Sequence, residues 1–142
     1  MAVTASGIWH PDPGDAYSNV ANLATMAESI EDAVGPYVSD TGWIQLSYAS
    51  GYSGPAPVIR RVGQTVLLEA STISGPFPVG TSNPITDIPT QFRPPHTIRG
   101  GAYLTSSRVG LSGVESNGRV SVINATGVAC TSSQISLVWF LP

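Results

Sequence analysis

Two imidazoles, His10 and His96, are the histidines of this 142-residue chain, and both sit beside proline, in His10-Pro11 and in Pro94-Pro95-His96. Nucleophilic catalysis needs a nucleophile, a base and an orienting group within reach of one another. The serines of Gly51-Tyr-Ser-Gly and Gly110-Leu-Ser-Gly look like fragments of a nucleophile elbow. Neither completes the G-x-S-x-G pattern or opens a helix, so both read as turns. Glycoside hydrolysis requires two facing carboxylates. Glu28, Glu31 and Asp32 share a predicted helix, while Asp40, Glu69, Asp87 and Glu115 stand singly, so no pair forms. Neither histidine belongs to a group with ligand spacing, and Asp12 and Asp15 miss the calcium-loop pattern. The lone Cys130, in Gly-Val-Ala-Cys-Thr, excludes an internal disulfide and reads as a buried structural thiol. The expectation is no enzyme, no metal and no cofactor.

Binding is better supported. A sugar docks on an aromatic face and is oriented by a few polar groups, the usual division of labour in a ligand site. Tyr48, Tyr52 and Tyr103, with Arg99, fall at strand ends or loops and are the candidate ligand-binding residues. Each tyrosine also has a plain structural alternative, and Trp43 and Trp139 read as core or interface.

These residues sit on predicted β-strands. From Asp40 onward the pattern is short strands punctuated by Gly and Pro. Trp43-Ile-Gln-Leu-Ser-Tyr-Ala alternates. Val58-Ile-Arg-Arg-Val turns at Gly63-Gln64 into a strand from Thr65 to Ser71. The Pro-rich span 75–95 reads as mostly irregular. Further strands follow at 97–105 and 108–114, and Asn117-Gly118, a strong hairpin signal, leads into Arg119-Val-Ser-Val-Ile-Asn. The last strand, Ile135 to Leu141, is apolar on both faces and should be central or lie against another subunit. The fold class is mainly β: a small antiparallel sandwich or barrel.

One helix precedes it. Asp15 is a plausible N-cap, and Gly35-Pro36 should stop the helix near Val34. Val20, Leu23, Ala27, Ile30 and Val34 follow a 3-4-3-4 spacing, the narrow seam of a short coiled coil. An isolated helix of this length is marginal in water and needs a partner surface. That surface is either its own β-domain or sister chains around a symmetry axis, and the spacing favours the second. Residues 1–14 read as extended, with Ile8 and Trp9 as an apolar anchor for docking. The organisation is thus 1–14 docking tip, 15–36 helical stem and 37–142 β head.

Composition narrows the class. Charged residues make up 11% of the chain and hydrophobic ones 42%, a sparse charge that fits either cover by neighbouring subunits or a neutral Ser/Thr/Gly-rich β-protein surface. The formal net charge is −3, so there is no basic footprint for nucleic acid. The N-terminus lacks the charged and apolar regions of a signal peptide, and the apolar run at 137–141 is too short to cross a bilayer. Synthesis in the cytosol without membrane insertion is expected.

The β-region resembles the head domains of bacteriophage minor tail and receptor-binding (fibre head) proteins, especially those of actinobacteriophages. The resemblance lies in ordered motifs: Asp40-Thr-Gly-Trp-Ile; Val58-Ile-Arg-Arg-Val-Gly-Gln-Thr-Val-Leu-Leu-Glu-Ala; Ile88-Pro-Thr-Gln-Phe-Arg-Pro-Pro; and Val114-Glu-Ser-Asn-Gly-Arg-Val-Ser-Val-Ile. The leading Gly7-Ile-Trp-His-Pro-Asp-Pro with its short helix is similar to segments in which a stem precedes such a head. The resemblance implies a virion structural protein, a homotrimer with stem helices bundled on a three-fold axis. It also implies attachment through the N-terminus to other virion proteins, in tail or capsid, and recognition of a host surface glycan. A capsid head fibre or decoration protein is the alternative. A stand-alone carbohydrate-binding module would leave the seam and Trp9 without a purpose, and a lysin accessory domain lacks catalytic groups.

Overall fold

The computed structural model describes residues 2–3, 9–10, 20–105 and 107–142, with side chains from 24 onward. The chain divides into two compact units, Met1–Ser39 and Asp40–Pro142. In the first, β1 (Ala2–Val3) pairs antiparallel with β2 (Trp9–His10), and helix α1 (Val20–Val38) lies against β2. Ile8 and the expected N-cap Asp15 lie outside the described residues, as do the side chains of Trp9, Val20 and Leu23.

Helix α1 does not stop at Gly35-Pro36; it continues to Val38 with Pro36 inside it. The proline forfeits one backbone hydrogen bond, to the carbonyl four residues back. This close to the helix end the loss is tolerable, because Ser39 N–H donates to the Gly35 carbonyl at 3.0 Å and closes a turn around it. Of the seam positions with described side chains, Ala27, Ile30 and Val34 are exposed, whereas Met26, Ser29 and Ala33 are half-buried.

The second unit is one antiparallel sheet of eight strands. They are β3 (Ile44–Gln45), β4 (Val58–Val62), β5 (Thr65–Phe77), β6 (Ser82–Asp87), β7 (Ile98–Leu104), β8 (Arg108–Val114), β9 (Arg119–Ile123) and β10 (Cys130–Phe140), in the order β3-β4-β5-β10-β7-β8-β9-β6. The sheet curls into a half-barrel. Its two edges, β3 and β6, are bridged by the segment that leaves β3: Ala49 N–H donates to Ile85 O at 2.8 Å, and Thr86 Oγ1 donates to Ser47 O at 2.7 Å. An unpaired edge would invite pairing with other chains, and this segment covers one.

Local turn chemistry appears where the sequence put it. Gly63 takes φ 58° in the two-residue turn joining β4 to β5. The β8–β9 hairpin closes through Gly118 N–H to Glu115 O at 2.9 Å, with Gly118 at φ 94°, a turn followed by a left-handed glycine.

Four further expectations change in the β unit. The alternating stretch from Trp43 to Ala49 keeps only β3 in the sheet, because the rest peels away to reach β6. The span 75–95 is not mostly irregular: it holds the end of β5, all of β6 and a short 3-10 turn, Thr90–Phe92. Pro84 is accommodated because β6 is an edge strand, where a missing N–H costs no ladder bond. Gly110 to Gly113 is not a turn but part of β8, and Ser112 there is buried with its hydroxyl donating to Gly101 O at 2.8 Å. Sandwich or barrel resolves to a single curled sheet.

Strand β10 is central, one of the two positions its sequence allowed, and from Ser133 onward its side chains alternate. Ile135, Leu137 and Trp139 are buried, while Gln134, Ser136, Val138 and Phe140 face outward. The inward set meets Val66, Leu68, Ile73 and Phe77 of β5 in the core. Each such side chain contributes roughly 1.5–3 kcal/mol on burial. Phe92, from the Ile88-Pro-Thr-Gln-Phe-Arg-Pro-Pro motif, is buried in the same cluster, and the buried Trp139 Nε1 donates to its carbonyl at 2.9 Å. That motif is a structural plug.

Candidate functional site

A groove of about 460 Å³ opens on the outer face of the sheet, lined by Glu69 and Ser71 of β5, Gln134, Ile135 and Ser136 of β10, and Gly101 and Tyr103 of β7. Strand register builds it. Ser136 stands opposite Glu69, and Gln134 opposite Tyr103, so two outward-facing cross-strand pairs form its walls. The β10–β7 ladder covers Ser133–Leu104, Gln134–Tyr103 and Ile135–Ala102, and ends there. By register Gly101 would next face Ser136, but the strands part at this point. Gly101 has no side chain, and a Cβ there would meet nothing within 4 Å. The open floor is a consequence of that residue.

The groove is chemically unspent. Tyr103 is half exposed, and its hydroxyl donates to Ser107 Oγ at 3.0 Å. The side chains of Glu69, Ser71, Gln134 and Ser136 make no hydrogen bond or ion pair within the described residues. The two buried asparagines beside the sheet are, by contrast, engaged: Asn124 Nδ2 donates to the Phe77 and Val128 carbonyls, and Asn83 Nδ2 to the Thr81 and Val122 carbonyls. Hydroxyls, an amide and a carboxylate around an aromatic ring suit a hydroxyl-rich ligand.

Of the four residues singled out in the sequence, one lines this groove. Tyr103 does. Arg99 shares the outer face of β7 with Gly101 and Tyr103. Its side chain nevertheless lies across Gly113 of β8, where an added Cβ would meet Nη1 at 3.0 Å. Tyr48 and Tyr52 are bound into the fold. The Tyr48 hydroxyl donates to Pro55 O at 2.9 Å, and Tyr52 donates to Pro76 O at 3.2 Å with its ring 5.4 Å from Phe77. Burial raises the pKa of both phenols. Reading residues one at a time passed over Glu69, Ser71, Gln134 and Ser136. Their signal was polar residues at i and i+2 within otherwise apolar strands, the outward positions of a half-buried sheet.

The groups with catalytic potential are not gathered. His96 is exposed in the loop before β7, Ser112 is buried in β8, and Cys130 is buried in β10 with Sγ 3.5 Å from Val128 O. Glu69 is the one carboxylate lining the groove. Trp43, expected in core or interface, is 47% exposed, with the Arg60 guanidinium carbon 5.7 Å from its ring centroid.

No protein-family model and no curated protein matches the chain. Among solved structures, the head domain of lactococcal phage bIL170, described with the receptor-binding domains of lactococcal phages, is similar. Its TM-score is 0.61 at 16% identity, over 70% of this chain and 97% of that one. A span of that length cannot fit within Met1–Ser39 and must draw mainly on the β unit. The receptor-binding protein (gp15) of Listeria phage PSA matches at 15% identity over 87% of this chain and 81% of that one. Its TM-score of 0.49 is too low to define a fold. The chain thus carries the fold of the phage receptor-binding head domains that its motifs resemble.

Proposed function

We propose that the chain is a virion structural protein, a homotrimeric fibre or spike whose β unit recognises the host cell surface by holding a cell-wall glycan in the Tyr103 groove. The observation that carries this reading is an open outer groove with one aromatic ring and four unengaged polar side chains, on a fold of the receptor-binding head type. A single lining carboxylate supports binding over glycoside hydrolysis, which uses a facing pair.

The trimer is supported by α1. Ile30 and Val34 are 39% and 44% exposed, and with Ala27 they follow the seam spacing that a symmetric bundle would bury. Closed rotational symmetry repeats each groove around one axis, converting weak sites into avidity of about 10²–10⁴-fold where spacing permits. Residues 1–14, with Ile8 and Trp9, would dock the spike onto other virion proteins.

Two measurements test it. Light scattering on the purified chain should give three times its 14.7 kDa mass. A monomer would remove the stem. Gold-labelled antibody against the chain should decorate the tail of the virion that encodes it. Decoration of the capsid would favour the head-fibre alternative, and an unlabelled virion would sink both.

A further inference from the structure

We infer that the groove selects by charge: it admits neutral or amino-bearing sugar rings and disfavours rings carrying a carboxylate or phosphate. This rests on the glycan-binding reading above and adds a filter to it. Glu69 is the sole charged residue of the lining. Its carboxylate makes no ion pair among the described residues, and the arginines of the flanking strands β4 and β7 are either engaged or turned away from it. Arg60 is paired with Asp40, Arg61 Nε donates to Gly63 O at 2.6 Å, and Arg99 lies over Gly113.

A carboxylate only accepts hydrogen bonds, so it can take two sugar hydroxyls or an ammonium but repels another anion. At about 5 Å in water-like dielectric, that repulsion corresponds to roughly fourfold in affinity. Ser136, directly across the strand pair from Glu69, and Ser71, two residues along β5, are neutral. They leave the repulsion uncompensated. Gln134 beside Tyr103 offers both a donor and an acceptor, the pairing that a neutral amide or hydroxyl substituent needs.

Gly101 sets the size limit. The space above it is empty and its φ is ordinary, so a larger residue there fills the groove without straining the sheet.

The test uses the full-length chain, titrated with N-acetylglucosamine, glucosamine and glucuronate while amide and side-chain NMR shifts of Tyr103, Gln134 and Glu69 are followed. The first two sugars should perturb these residues, with glucuronate at least threefold weaker. Glu69→Gln should bring glucuronate level with N-acetylglucosamine. Gly101→Val should abolish all three responses at an unchanged melting temperature. Equal binding of glucuronate to the unaltered chain, or discrimination that survives Glu69→Gln, overturns the filter. Binding of the labelled chain to intact host cells separates the two layers. Cells bound while no sugar moves the groove residues would sink this inference and spare the receptor reading; cells not bound would sink both.

Discussion

The Tyr103 hydroxyl donates to Ser107 Oγ at 3.0 Å, and Ser107 is, among the described residues, the one non-glycine held at positive φ, 62°. The left-handed region costs an ordinary residue roughly 1–2 kcal/mol, so the β7–β8 turn holds a serine where glycine would sit more easily. The hydroxyl contact gives that serine a purpose: it steadies the ring on the groove wall.

Ser107→Gly should therefore leave the melting temperature unchanged or slightly raised while weakening sugar binding. Loss of one ordering hydrogen bond is worth about 0.5–1 kcal/mol, or two- to fivefold in affinity. Thermal denaturation and sugar titration on the same protein check this, and a variant that binds as tightly as before would show the contact to be incidental.

Tyr103 and Tyr52 should separate binding from stability. Tyr103→Ala removes a half-exposed ring from the groove and should abolish sugar binding with little change in urea midpoint. Tyr52→Ala empties the space between Gly75 and Phe77, where the ring is packed. It should cost about 3 kcal/mol or more in the manner of other aromatic truncations, with affinity of the folded fraction retained. The reverse pattern would move the ligand site to the 46–54 segment.

The Asp40–Arg60 pair predicts an acid transition. Arg60 donates to both carboxylate oxygens, through Nε at 3.0 Å and Nη2 at 2.5 Å, and Gly42 N–H donates to Oδ1 at 2.8 Å. Together they hold the Asp40 pKa at about 2, against an ordinary 3.8, the arginine hydrogen bond contributing most. A pKa depressed in the folded state stabilises at pH above the ordinary value, and the benefit is lost as pH falls from about 4 toward 2. Carboxyl NMR should find the low midpoint in the unaltered chain. In Arg60→Gln it should return toward the ordinary value, with acid unfolding starting at higher pH.

Trp139→Phe keeps the buried ring but strands the Phe92 carbonyl that Nε1 now satisfies. An unsatisfied buried acceptor costs about 1–3 kcal/mol, so the urea midpoint should fall accordingly. A change below 0.5 kcal/mol, on the order of a neutral surface substitution, would mean that the plug formed by Phe92 is held by packing alone.

Replacing Leu23 and Ile30 together by Asp should dissociate the proposed trimer, because two layers of three like charges would be buried on one axis. Light scattering reads the outcome. A double variant that remains trimeric would place the assembly contacts in the heads.

What the sequence determined by itself was local. Short apolar runs between turn residues marked β4, β8 and β9, Gly63-Gln64 and Asn117-Gly118 marked the hairpin turns, and 3-4-3-4 spacing marked α1, since each depends on residues a few positions apart. The assembly of the groove was not local. Glu69, Tyr103 and Gln134 come from three strands that are neighbours only because β10 returns to pair between β5 and β7. No periodicity encodes which strand lies beside which, and none encodes that the β10–β7 ladder ends at Ile135 and Ala102. Tertiary packing likewise drew residues 46–49 off the first strand, because the far edge at Ile85 and Thr86 offered hydrogen-bond partners. The strands were written in the order of residues; the site came from the strand order that set β10 between β5 and β7 and so placed their outward side chains side by side.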